Sequence, residues 1–94
     1  MPAPTDRLMT LVLSGDELAL LKKLDFPCSE RVLATARPGE EGLELTGSWS
    51  DFNSLAGWVA GEANDAYRHR RMRKARLLDS IAEQLEAKLS AHHR

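Results

Sequence analysis

The apolar positions of this chain change period three times along its length. Leu8-Met9-Thr10-Leu11-Val12-Leu13 is a compact, mostly apolar run of strand length that stops at Ser14. Ser14 and Glu17, three residues apart, then form the pattern of a capping box, with Leu13 and Leu18 placed as a hydrophobic staple over the same turn. Leu18, Leu21 and Leu24 recur on one helical face with Leu20 beside them, while Lys22 and Lys23 fall near the C-terminal end, where the helix dipole favours cations. The pattern predicts a helix over residues 15–25 that Pro27 stops.

Residues 31–46 read as a hairpin. Val32 to Ala36 is its first strand, Pro38-Gly39-Glu40-Glu41-Gly42 its turn, and the alternating Leu43-Glu44-Leu45-Thr46 its second strand, which Gly47 breaks. Ser29 to Ala36 also fits a short helix. Beyond Gly47 the period becomes helical: Ser48 or Ser50 caps, Asp51 adds negative charge to the first turn, and Phe52, Leu55, Val59, Ala63 and Ala66 follow at helical spacing. A second set, Leu77, Leu78, Ile81, Leu85 and Leu89, continues to the end, so residues 50–92 are either one helix or two broken near the arginine-rich stretch. An unbroken helix there would be roughly 60 Å long and would need a partner chain to cover it. The pattern as a whole predicts an α+β fold: a small antiparallel sheet in β-α-β-β order, followed by a long or broken C-terminal helical segment. It forms one domain over residues 1–94, with a frayed leader at 1–6, the βαββ part at 7–47 and the helical part at 48–92.

Composition narrows the function more than the fold. Fifteen Leu and twelve Ala against three Val and one Ile favour helices and leave few, short strands. A chain of 94 residues supports one modest core, to which a dimer interface would add. Cys28 has no partner for a disulfide, and no apolar run approaches the roughly 18 residues of a membrane span. With no basic, apolar leader at the start, the expectation is a cytoplasmic protein without a membrane partner. No CxxC, HExxH, Walker A, GxGxxG or GxSxG pattern occurs. The expectation is therefore a protein that is not an enzyme and holds no cofactor or metal.

Four constellations remain as carriers of function. Arg68, Arg70, Arg71, Arg73, Lys74 and Arg76 put six cations into nine residues, enough to neutralise several phosphates; as a helix they would form a basic collar, without the Asn, Gln or Ser of a base reader. The bland reading is a solvated segment whose arginines pair with acids of the N-terminal half, in this chain or a second copy. Trp58, Glu62, Asp65 and His69 share one side of a helix and could hold a divalent ion or move a proton, but a Trp at the core edge with wet acids beside it is the commoner arrangement. Gly57 and Gly61 lie among Ala56, Ala60, Ala63 and Asn64; each costs roughly 1 kcal/mol inside a helix and so points to close backbone packing. Leu78, Ile81, Leu85 and Leu89 run close to a heptad seam for two repeats, and the absence of Gly, Pro, Asn or Asp between 68 and 74 argues against folding back. Cys28, His92 and His93 are read as bystanders.

The reading that follows is a small non-enzymatic interaction module that self-associates, as a dimer first, through its C-terminal helices. Leu78, Ile81, Leu85 and Leu89 would form the seam, and Gly57 and Gly61 would allow close approach. The second reading is a nucleic-acid-binding accessory protein using the six cations. The formal net charge of -1 hides a division relevant to both: residues 1–67 carry a net of -6 and residues 68–94 a net of +5.

Overall fold

The computed structural model describes residues 8–27 and 29–92; the expected leader, Cys28, His93 and the side chain of His92 lie outside what it describes. The elements run β1 (Met9–Leu13), α1 (Gly15–Leu24), α2 (Glu30–Leu33), β2 (Arg37–Pro38), β3 (Leu43–Gly47), α3 (Trp49–Arg68) and α4 (Met72–His92). The three strands form an antiparallel sheet in the order β1-β3-β2, and the fold is α+β with a long helical C-terminal region.

Alternation sets which face of the sheet is covered. Met9, Leu11 and Leu13 pair with Gly47, Leu45 and Leu43, and five of these six are buried, Leu43 partly. Thr10, Val12, Glu44 and Thr46 fall on the opposite face. Against the covered face lie Phe52, Leu55 and Val59 of α3 and Leu78, Ile81 and Leu85 of α4, all with no exposed surface. Each of these two helices is about 30 Å long, which fits the longest molecular dimension of 46 Å.

The helix starts form as their side chains dictate. The Ser14 hydroxyl accepts from the Glu17 N–H at 3.2 Å and the Glu17 carboxylate accepts from the Ser14 N–H at 2.8 Å. The second oxygen of Glu17, a buried carboxylate, accepts from the Gln84 amide at 3.3 Å and so ties α1 to α4. Ser48 and Asp51 make the same reciprocal box at α3, with both bonds at 3.1 Å.

One expected element is different. Val32 to Ala36 is not a strand: residues 30–33 form the short helix α2, and the chain is extended only at Arg37 and Pro38. Thr35 is the reason a two-residue strand suffices. Its hydroxyl donates to the Val32 carbonyl at 2.6 Å and accepts from the Thr46 N–H at 2.7 Å, satisfying the backbone of β3 where a longer β2 would have done so. Gly42 closes the hairpin turn at a φ of 157°, and a Cβ there would meet the Leu13 carbonyl oxygen at 2.8 Å. Gly47 ends β3 from within, as its last residue.

The helical half is two helices. α3 ends in a left-handed cap: His69 leaves helical geometry, Arg70 has φ of 58°, and the N–H groups of Arg70 and Arg71 donate to the carbonyls of Tyr67 and Ala66 at 3.0 and 2.8 Å. The fold-back therefore happens without Gly, Pro, Asn or Asp, contrary to the expectation drawn from their absence. It costs strain instead, since a side chain in the left-handed region crowds its own carbonyl by about 1–2 kcal/mol. Replacing Arg70 by Gly is expected to raise stability by about 0.5–1 kcal/mol, read as a rise in the urea midpoint at unchanged slope.

Candidate functional site

The turn between α3 and α4 gathers six of the chain's thirteen lysines and arginines at one end of the helical hairpin. Arg68 closes α3, His69, Arg70 and Arg71 form the turn, and Arg73, Lys74 and Arg76 lie in the first turns of α4. All of these side chains except Lys74 are exposed. Lys74 is half-buried and its ammonium lies 3.4 Å from a Glu62 carboxylate oxygen. Arg76 lies near a pair formed by the Tyr67 hydroxyl donating to the Asp79 carboxylate. That hydrogen bond, more than any other cause, raises the Tyr67 phenol above its ordinary value, while Arg76 pulls it the other way.

Arg68, Arg70, Arg71 and Arg73 make no ion pair among the described residues. Among the described residues, the expected pairing of these cations with acids of the N-terminal half is confined to Lys74 and Glu62. α4 also begins without an acidic residue in its first turn. Its first N–H groups and four guanidinium groups thus present positive potential at the same end of the molecule.

The other expected sites are placed differently. Leu78, Ile81 and Leu85 have no exposed surface, because α4 folds back on α3 and seats them in the chain's own core; Leu89 packs partly buried at its edge. The seam these leucines were expected to offer a second copy is filled within one chain. Gly57 and Gly61 are exposed, and a Cβ at either position would meet nothing within 4 Å, so neither permits close packing inside this fold. The Trp58, Glu62, Asp65 and His69 stripe is dispersed into separate contacts. Trp58 stacks on Phe26 with ring centroids 5.9 Å apart, Glu62 faces Lys74, and His69 Nδ1 lies 2.9 Å from the Asp65 carbonyl oxygen and 3.4 Å from its carboxylate. Among the described residues, no three His, Cys, Asp or Glu side chains come together in a way that could hold a metal ion.

A hollow of about 430 Å³ opens between α1 and the first turns of α4. Its floor is Leu20, Met72 and Leu77, and its rim carries Lys23 from α1 opposite Arg71, Arg73 and Lys74. Lys23 and Leu20 belong to no site expected from the sequence. Nothing local marks them, because they reach the arginines only once α4 has folded back. A second hollow, of about 420 Å³, lies between α1 and α2 and mixes Lys22 with Asp25 and Glu30, so its charges oppose one another.

Comparison with protein-family models, with curated proteins and with solved structures finds no match to this chain. Among the described residues, no helix is long and apolar enough to cross a membrane.

Proposed function

We propose that the protein is a non-enzymatic binding module whose α3–α4 turn engages a polyanion, nucleic-acid phosphates first. The observation that carries this reading is the cluster of exposed arginines at this turn, Arg68, Arg70, Arg71 and Arg73, which, like Arg76 one turn further on, make no ion pair among the described residues. Four like charges held together on a short turn repel one another, and a phosphate backbone relieves that repulsion while releasing its own counterions. The turn offers no Asn, Gln or Ser that would read base edges, so the reading is backbone recognition without sequence preference. Titration of the full chain with a generic duplex and a generic single strand tests it. Binding at about 50 mM salt that falls steeply by about 200 mM is the expected result, and affinity no better than a charge-matched peptide's would reject it.

Self-association is the second reading, and the exposed glycines favour it. Gly57 and Gly61 cost α3 stability and gain nothing inside the chain, whereas a second helix laid across them would come unusually close. The sign of one double variant separates the cases. If the chain acts alone, Gly57→Ala with Gly61→Ala stabilises it by about 0.5–1 kcal/mol per site, at every protein concentration. If a second copy packs on this face, the same variant weakens the dimer, and sedimentation shows the mass falling towards one chain.

A further inference from the structure

The hollow between α1 and α4 joins two chemistries that rarely meet on a free surface. Its floor is aliphatic, formed by Leu20, Met72 and Leu77, and Met72 is 45% exposed, a large apolar side chain left to water. Every charged group on its rim is a cation, and among the described residues only Lys74 of the four has an acidic partner. These four side chains line the hollow chiefly with their aliphatic stems, and their charged ends donate hydrogen bonds and accept none. We propose that the hollow binds an amphiphilic anion, a single hydrocarbon chain ended by a carboxylate, with the chain over Leu20, Met72 and Leu77 and the carboxylate among Lys23, Arg71 and Arg73.

The lining selects this occupant over its competitors by charge and by shape. A cationic amphiphile would cover the same floor while facing three unpaired positive side chains, and a neutral one would leave them unanswered. A nucleic-acid base would find no aromatic ring or amide edge among the lining residues. A peptide strand would find no sheet edge to pair with, since both walls are helical. At about 430 Å³ the hollow lies within the range of small-molecule sites, roughly 300–1,000 Å³. The planar guanidinium groups of Arg71 and Arg73 also suit a two-oxygen head group held through two hydrogen bonds at once.

This site goes beyond the polyanion reading and can fail separately from it. Lys23 belongs to the hollow and not to the turn, while Arg68 and Arg70 belong to the turn and not to the hollow. The experiment titrates the full chain with dodecanoate below its micelle concentration, reading the methyl signals of Leu20, Met72 and Leu77 by NMR. Saturable shifts confined to these methyls are expected, with affinity rising about two- to fourfold per added methylene from octanoate upwards. Lys23→Glu, at an exposed position of α1 outside the turn, is expected to weaken dodecanoate about tenfold while nucleic-acid binding through Arg68, Arg70, Arg71 and Arg73 persists. Met72→Gln is expected to flatten the chain-length dependence. Equal binding of dodecyltrimethylammonium, or an affinity untouched by the rim variant, overturns the proposal. So does binding to phosphatidylglycerol vesicles without a dodecanoate response, which would assign the surface to a membrane. Methyl signals already broadened in a concentration-dependent dimer would assign it to a second copy and overturn the proposal equally.

Discussion

Leu78→Ala is expected to cost about 2–5 kcal/mol, a large share of the roughly 5–15 kcal/mol that holds a domain together. The side chain has no exposed surface and belongs to the same core as Phe52, Leu55, Val59 and Leu45. Truncation removes the transfer energy of three carbons and leaves a cavity that the surroundings cannot close. α4 is fixed to α1 through Gln84 and Glu17, and to α3 through Lys74 and Glu62 and through the indole N–H of Trp49, which donates to the Leu89 carbonyl at 3.4 Å. At about 4–8 °C per kcal/mol for a domain of this size, the Tm is expected to fall by about 8–40 °C. Leu89→Ala, at the half-buried end of the stripe, is expected to cost only about 1 kcal/mol. Both losses should be the same at low and high protein concentration. A Leu78→Ala loss that grows as the protein is diluted, with a change in solution mass, would return the stripe to an interface between copies.

What was legible in the sequence is what adjacent residues decide among themselves. A capping box needs only residues three apart, so Ser14 with Glu17 could be read directly, whereas at α3 the sequence leaves the cap open between Ser48 and Ser50 and marks Asp51 only by its charge. β1 shows as a compact apolar run of strand length and β3 in its alternation. Val32 to Ala36 misled because β-branched and apolar residues suit a strand as well as a short helix. The deciding contact is the bond from Thr46 to the Thr35 hydroxyl, eleven residues away in sequence. The return of α4 misled for a different reason. The usual mark of a left-handed helix end is Gly or Asn, and here an arginine accepts that geometry because the burial of Leu78, Ile81 and Leu85 outweighs its strain. Once that turn is missed, the leucine stripe looks unpartnered and the hollow beside Lys23 has no second wall. The division of charge, by contrast, was present in the sequence. The structure adds that the positive end is a turn with four uncompensated guanidinium groups, and not a collar around a continuous helix.

Removing those four charges is expected to abolish most of the polyanion affinity, and Arg70 makes the experiment unusually clean. The combined variant is Arg68→Gln, Arg70→Gly, Arg71→Gln and Arg73→Gln. Three of the replaced side chains are exposed without an ion pair to lose, and the fourth replacement relieves the left-handed strain. Stability is therefore expected to hold or rise slightly, so a loss of binding cannot be blamed on unfolding. Four phosphate contacts correspond to a log–log salt slope of about -3.6 on duplex DNA, hence a fall on the order of 100-fold between about 50 and 200 mM salt. In the variant that slope is expected to shrink to about -1 or less, with affinity at low salt lower by on the order of 100-fold. Electrophoretic mobility shift across a salt series reads both quantities. A variant that keeps the parent slope would show that the phosphates lie elsewhere, against Lys74 and Arg76 or outside the turn altogether. A slope lost only on single strands would restrict the reading to unpaired nucleic acid, where the expected value per contact is nearer -0.7.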